Sequence, residues 1–378
     1  MRLPEGFVSS GVVAGIKAGG GEDLGILAAA EPVAWAGVFT KNAAAAAPVR
    51  WCRAALGAPA RAVVANSGCA NACTGEAGVR AVRATAAAAA AALGCAPGEV
   101  LVASTGPIGL PLPVDRVAAA VPGAAASLVP DAHPFARAIL TTDTTTKIAA
   151  AEVGGAEIVG VAKGAAMIAP NMATMLAFIV TDAAIPPPAL QDALASAASA
   201  TFNRISIDAC ESTNDSVFLL SSGSGPGVDP VGFGDSLTEV CASLAHQIVR
   251  DAEGGTKCMR ITVSGAYDAE AAADCGRAIA ASDLWRAAVH GADPNWGRVL
   301  AALGTGRNVD LGLVSVSIAG VRLFDKGEPV GDASAAATAM SAPEVSIDVE
   351  IGDGVGSAEV LAADLTPDYV KLNAEGST

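Results

Sequence analysis

Short runs of β-branched and aliphatic residues alternate along the chain with longer alanine-rich stretches. The apolar runs predict strands over Val33–Phe39, Arg61–Ala65, Val100–Ala103, Glu157–Ala162, Met175–Thr181, Val217–Ser221, Met259–Ser264, Leu313–Ile318 and Val345–Ile351. The alanine-rich stretches predict helices over Glu76–Leu93, Pro188–Thr201, Ser236–Glu253, Glu270–His290 and Asn295–Leu303. Ser236 is the expected N-cap of the third helix and Gly254-Gly255 its expected stop. Alternation of this kind indicates an α/β or α+β protein of layered sheets and helices. No fixed-period repeat interrupts it, and the Gly/Pro clusters at Gly19–Gly21, Ile185–Pro188 and Gly223–Pro230 read as punctuation.

Composition narrows the class. With 378 residues, 52% hydrophobic and 16% charged, the chain can bury a large core and is not disordered. Aromatics are only 4%, so the mean hydropathy of +0.46 reflects small-residue packing. No strongly apolar run reaches the ~18–20 residues of a bilayer span, and the richest, Ala81 to Leu93, is broken by Arg83 and Thr85. The start shows no basic-then-apolar leader, so a soluble, cytoplasmic protein is expected, with no membrane partner. A net charge of −15 without a Lys/Arg cluster argues against nucleic acid. Small anionic substrates stay allowed, because one well-placed Lys suffices for them.

The cysteines, Cys52, Cys69, Cys73, Cys95, Cys210, Cys241, Cys258 and Cys275, form no Cys-x-x-Cys pair, and His133, His246 and His290 are scattered. Reduced thiols and no metal site are expected. Gly223-Ser-Gly225-Pro-Gly227 carries a proline and precedes no predicted helix, and neither a P-loop nor a dinucleotide fingerprint occurs, so no nucleotide cofactor is expected.

The familiar nucleophile systems lack support, since there is no Gly-x-Ser-x-Gly elbow and no clustered histidine. A threonine whose own α-amine, freed by chain cleavage, accepts the hydroxyl proton needs no histidine. That amine titrates near pH ~7.7–8.0, which suits a base at neutral pH. Lys163 to Leu176 is the best segment for such a site: an isolated Lys and small residues lead through Pro170-Asn171 to Thr174 at a loop-to-strand junction. Position alone favours a plainer reading, in which a β-branched residue simply starts a strand. Ser104-Thr105-Gly106-Pro107-Ile108-Gly109 follows a predicted strand and could offer a hydroxyl and backbone N–H to an oxyanion, or be an ordinary turn.

Taken together, these blocks resemble the ornithine acetyltransferase family, the bifunctional glutamate N-acetyltransferases of arginine biosynthesis. The resemblance runs almost end to end. It includes Gly37-Val-Phe-Thr-Lys-Asn42, Asn66 to Gly75, Ser104 to Gly109 and Thr141-Thr-Asp-Thr144. It continues through Lys163 to Leu176, Phe202-Asn-Arg204, Ser212-Thr-Asn-Asp215 and Glu253 to Lys257, and closes with Gly291 to Arg298 and Asp368 to Ala374. It implies self-cleavage between Ala173 and Thr174, giving chains 1–173 and 174–378 that stay together, commonly as α2β2. Thr174 would then take an acetyl group from N-acetylornithine and pass it to glutamate.

The resemblance also assigns residues. It puts the oxyanion hole at Thr105 and Gly106, and substrate contacts at Thr141, Lys163, Thr174, Glu253, Asn373 and Thr378. Lys163 would meet a substrate carboxylate, and Glu253, at a helix end, the ornithine ammonium. No cofactor is implied; acetyl-CoA enters only as a second donor, whose use the sequence leaves open. The implied fold is that of the β-peptidyl aminopeptidases, with a smaller C-terminal α/β unit. Cys69, Ala166, Ala209-Cys210-Glu211, His290 and Gly376 depart from the family pattern. A hydrolase using the same Thr174 on an acyl-amine is the competing reading, and an uncleaved binding protein a third.

Overall fold

In the computed structural model, which describes residues 1–169, 175–307 and 309–375, two mixed sheets organise the chain. The strands are β1 (Phe7–Val12), β2 (Leu24–Phe39), β3 (Ala60–Ser67), β4 (Val100–Thr105), β5 (Lys147–Val153), β6 (Ala156–Lys163), β7 (Leu176–Thr181), β8 (Ile205–Ser206) and β9 (Ser216–Ser221). Beyond them come β10 (Cys258–Ala266), β11 (Ser315–Ile318), β12 (Val321–Asp325), β13 (Glu328–Pro329), β14 (Glu344–Glu350) and β15 (Gly356–Ala363). The first sheet runs β4-β3-β2-β9-β7-β6-β5, with β1 also on β2; the second runs β13-β12-β11-β14-β10-β15-β8.

β2 is the hinge of the first sheet. Its register with β3 shifts between Ala28 and Val33, so its first half pairs with β1 and β3 and its second half with β9. The two half-sheets pack face to face. Leu27, Val63 and Leu101 from one meet Val161, Phe178 and Phe218 from the other in a shared core. Six of the 14 aromatic residues are buried there, Phe7 among them: Phe178 stacks on Phe218 at 5.4 Å, and Phe135, Phe39 and Trp35 surround them. Bulk is concentrated where two sheets must fill a wide gap; alanine suffices where helices press close.

Helices cover both outer faces. Gly75–Leu93 and Val114–Ala126 lie on the β1–β4 half, and Pro187–Ala200 and Pro230–Arg250 on the other. Strands buried on both faces need no polar alternation, so β7 and β9 read as continuous apolar runs. The result is a helix–sheet–sheet–helix sandwich. A smaller α/β unit, the second sheet with helices Ala269–Ala280, Asp283–His290 and Trp296–Gly304, has its own core around Trp285, Ile261 and Ile347.

All nine predicted strands are present, though two helix expectations are corrected. The third helix starts six residues before Ser236, because Asp229 accepts from Gly232 N at 3.0 Å and Pro230 opens the first turn. This also gives the Gly223–Gly227 glycines a helix close behind them. The stretch Glu270–His290 is two helices, since Ser282 accepts from Trp285 N and caps a new start. Alanine propensity runs through that break and hides it. All eight cysteines are free thiols, five of them buried.

β7 and β9 lie between β2 on one side and β6-β5 on the other, so strands from residues before 170 flank strands from residues after 174.

Candidate active site

β4 ends at Thr105, β6 ends at Lys163, β7 begins at Leu176 and β9 begins at Ser216; these ends converge at the mouth of the sandwich. A cavity opens there. Thr105, Gly106, Thr141, Lys163 and Asn373 all line it, with Ala166, Met167, Asp208, Asn214 and Tyr369. Five positions singled out in the sequence, spread over 269 residues from 105 to 373, therefore share one cavity. Ala173, Thr174 and Thr378 lie outside the described residues.

The Thr105 wall is braced by amides. Ser104 Oγ donates to Asn66 Oδ1 at 2.6 Å, and Asn214 Nδ2 donates to Ala70 O at 2.7 Å and Ser104 O at 2.8 Å. Cys69 N donates to Thr105 O at 3.0 Å, drawing two backbones together. Gly106 has φ +134°, and a methyl group on it would sit 2.5 Å from Cys69 N. Only glycine fits. Gly106→Ala is expected to lose at least about 2 kcal/mol of stability with most activity. The denaturation midpoint compared with wild type checks this, and an unchanged midpoint would mean the backbones tolerate separation.

Lys163 is 3% exposed and donates to Thr105 Oγ1 at 3.3 Å. An acceptor bond on that oxygen turns the hydroxyl proton elsewhere, leaving it free to donate. Burial pushes the Lys163 ammonium pKa below its ordinary value, and the negative charge of Asp143 works against that.

The chain on both sides of residues 170–174 is pinned by carboxylates. Asp215 accepts from Met175 N at 3.1 Å, and burial raises its carboxyl well above the usual range. Asp208 accepts from Met167 N at 2.5 Å and from Ile168 N at 2.8 Å. Tyr369 Oη donates to the same Asp208 at 3.2 Å, tying helix Pro367–Glu375 to this turn. Burial raises the Asp208 carboxyl and these hydrogen bonds oppose it.

Glu253 needs a correction. It is not at a helix end, because the helix stops at Arg250. It lies buried in the following loop, where its N–H donates to Ala165 O and its Oε2 accepts from Asn373 Nδ2 at 3.0 Å. Gly254, with φ +62°, leaves room for the C-terminal helix; a methyl there would lie 2.5 Å from Tyr369 N. Glu253 thus reaches the cavity through Asn373.

The departures differ in weight. Ala166 and Cys210 line the cavity, whereas Cys69 is buried behind it with Sγ donating to Leu110 O. His290 sits beside Asp364, outside the cavity lining. Gly376 is outside the described residues. Asp143, Asp208, Asn214, Asp215 and Tyr369 gained no role from the sequence. Asp143, Asn214, Asp215 and Tyr369 lie within the motif blocks, whereas Asp208 lies in none of them.

The model of the ArgJ family matches residues 8–378. The arginine biosynthesis bifunctional protein ArgJ of Thermus thermophilus is 47% identical over 377 residues, covering 99% of this chain and 98% of the relative. The protein of the same name from Thermobifida fusca is 45% identical over 383 residues, covering 100% of each. A crystal structure of the arginine biosynthesis bifunctional protein argJ from Bacillus halodurans superposes with a TM-score of 0.51 at 36% identity, covering 53% of this chain and 98% of that one.

Proposed function

Since the chain belongs to the ArgJ family, we propose that it is a glutamate N-acetyltransferase of arginine biosynthesis. It moves the acetyl group of N2-acetylornithine to glutamate through an acetyl ester on Thr174. The observation that carries this reading is the single cavity in which Thr105 and Gly106 face Lys163, Thr141 and Asn373, at the end of the strand that follows Thr174.

The proposed chemistry begins with the chain itself. The Thr174 hydroxyl adds to the Ala173 carbonyl and the amide nitrogen leaves as the free α-amine; water then hydrolyses the resulting ester, releasing the Ala173 carboxylate and restoring the Thr174 hydroxyl. In turnover the amine takes the hydroxyl proton as Thr174 Oγ adds to the acetyl carbonyl. Thr105 Oγ1–H and Gly106 N–H stabilise the oxyanion, and ornithine leaves with the proton on its nitrogen. Glutamate nitrogen then attacks the ester and the steps reverse.

Lys163 and Thr141 hold the substrate carboxylate, and Glu253 with Asn373 receives the ornithine ammonium; Thr378 joins them in this assignment. The two chains assemble as α2β2 in the cytoplasm, with no resident cofactor. The test is acetyl transfer with acetylornithine and acetyl-CoA offered separately as donors, with and without glutamate. Acetylglutamate formed from acetylornithine supports the reading; acetate released at the same rate without glutamate would make the protein a hydrolase. Acetylglutamate from acetyl-CoA marks the second activity.

Glu253→Gln is expected to slow transfer from acetylornithine by ~2–5 kcal/mol, the scale of removing one member of a desolvated charge pair, while self-cleavage continues. Asn373→Ala should act in the same direction, because it removes the donor to Glu253 Oε2. Normal kcat/KM in both variants would take the ammonium subsite away from Glu253.

A further inference from the structure

Behind the cavity, Lys163 belongs to a cluster of buried charges whose other members, Asp143, Lys147 and Asp251, the proposed chemistry does not use. Asp143 Oδ1 accepts from Lys147 Nζ at 2.7 Å and from Gly164 N at 2.6 Å. Its Oδ2 accepts from Thr141 N at 3.1 Å and lies 3.9 Å from Lys163 Nζ. Lys147 also donates to Asp251 Oδ2 at 2.5 Å. The side chains of Asp143 and Lys147 are fully buried, Lys163 is 3% exposed and Asp251 9%. Two cations and two anions cancel, which is the condition for holding such charges away from water.

The distances within the cluster are unequal in a telling way. Lys147 takes the close seat on Asp143, and Lys163 is kept more than an ångström further off. Lys163 has three donors; one goes to Thr105, and among the described residues none is engaged in a close ion pair. A lysine already clasped by a carboxylate would have to break that bond to receive another. One left at 3.9 Å keeps the field of Asp143 without being consumed by it.

We propose that Asp143 and Lys147 are a positioning pair for the acetyl-transfer reaction: Asp143 holds Thr141 and the Lys163–Gly164 turn in place and keeps Lys163 charged, while Lys147 prevents Asp143 from capturing it. This rests on the reading of Lys163 as the partner of the substrate carboxylate. The other charged groups around Lys163 are Glu253, Asp215 and Lys17. Glu253 and Asp215 favour its charged form, and Lys147 and Lys17 oppose it.

The experiment is kcat/KM for acetylornithine from pH 6 to 10 with the purified full chain in wild-type form and as Asp143→Asn, Lys147→Met and Lys163→Met. Wild type should show an alkaline limb that Lys163→Met lacks. Removing the anion should move that limb down by about 1 pH unit or more, and removing the neighbouring cation should move it up. Both variants should raise KM about tenfold at neutral pH, one by weakening the charge and the other by letting Asp143 claim it. Opposite shifts are what a merely structural role does not produce. Limbs that stay put, or move the same way, overturn the pair. Should Asp143→Asn not accumulate as folded protein, the sign of the Lys147→Met shift decides alone. A wild-type protein that transfers no acetyl group fails the underlying reading instead, and an active one without an alkaline limb fails this inference.

Discussion

Thr174→Ala is expected to run as one 378-residue chain on a denaturing gel, where wild type resolves into fragments of 173 and 205 residues. Cleavage needs an oxygen nucleophile on the side chain of the residue that follows the scissile carbonyl, and alanine supplies none. The flanks of the junction are held by groups the substitution leaves intact: Asp208 on Met167 and Ile168, and Asp215 on Met175. An effect is therefore chemical and not a collapse of the turn. Acetyl transfer should fall by on the order of 10⁴ or more, the scale seen when a covalent nucleophile is deleted. Intact mass spectrometry reads the first effect and the transfer assay the second. A wild-type chain that stays whole through long incubation, or a variant that is cut at the same bond, would remove Thr174 from the mechanism.

The next largest loss is expected at Thr105. Its hydroxyl oxygen is engaged by Lys163 Nζ at 3.3 Å, so its proton is available to a developing oxyanion within the cavity. Deleting one such donor typically costs 10²–10³ in kcat, and Thr105→Ala should show that loss with KM little changed. Thr105→Ser keeps the hydroxyl and should recover most of the rate. An effect confined to KM would make Thr105 a binding group only. An unchanged kcat would return the segment to an ordinary turn braced by Asn66 and Asn214.

How legible this was in the sequence depended on distance along the chain. Runs such as Leu176–Thr181 declare themselves because both faces are buried. β5 and β15 were not foreseen, because their alternation of alanine with glutamate and serine, as in Lys147–Val153 and Gly356–Ala363, is too weak in hydrophobic contrast. The helix Pro367–Glu375 buries no residue and is held by polar contacts, so it leaves no hydrophobic stripe to read. The site shows the same division. Thr105, Gly106 and Lys163 could be singled out from local chemistry and motif. Asp208, which reaches back 40 and 41 residues to Ile168 and Met167, has its role only in three dimensions. So has Asn214, whose amide joins backbones 110 and 144 residues away.

The placement of β7 and β9 between β2 and β6 has a thermodynamic consequence. While the chain is whole, assembling that sheet is a unimolecular event, and the connecting residues keep the two groups of strands at high effective concentration. Once the bond before Thr174 is cut, an unfolded molecule is two polypeptides, and neither contains the neighbours its central strands require. Recovery becomes bimolecular, so apparent stability falls as protein is diluted. The uncut Thr174→Ala chain should refold after denaturant with a yield independent of dilution, and the mature protein should not. With the proposed cleavage, persistence of the cut form is governed by how slowly it opens, and folding becomes an opportunity the molecule has once, before that bond is broken.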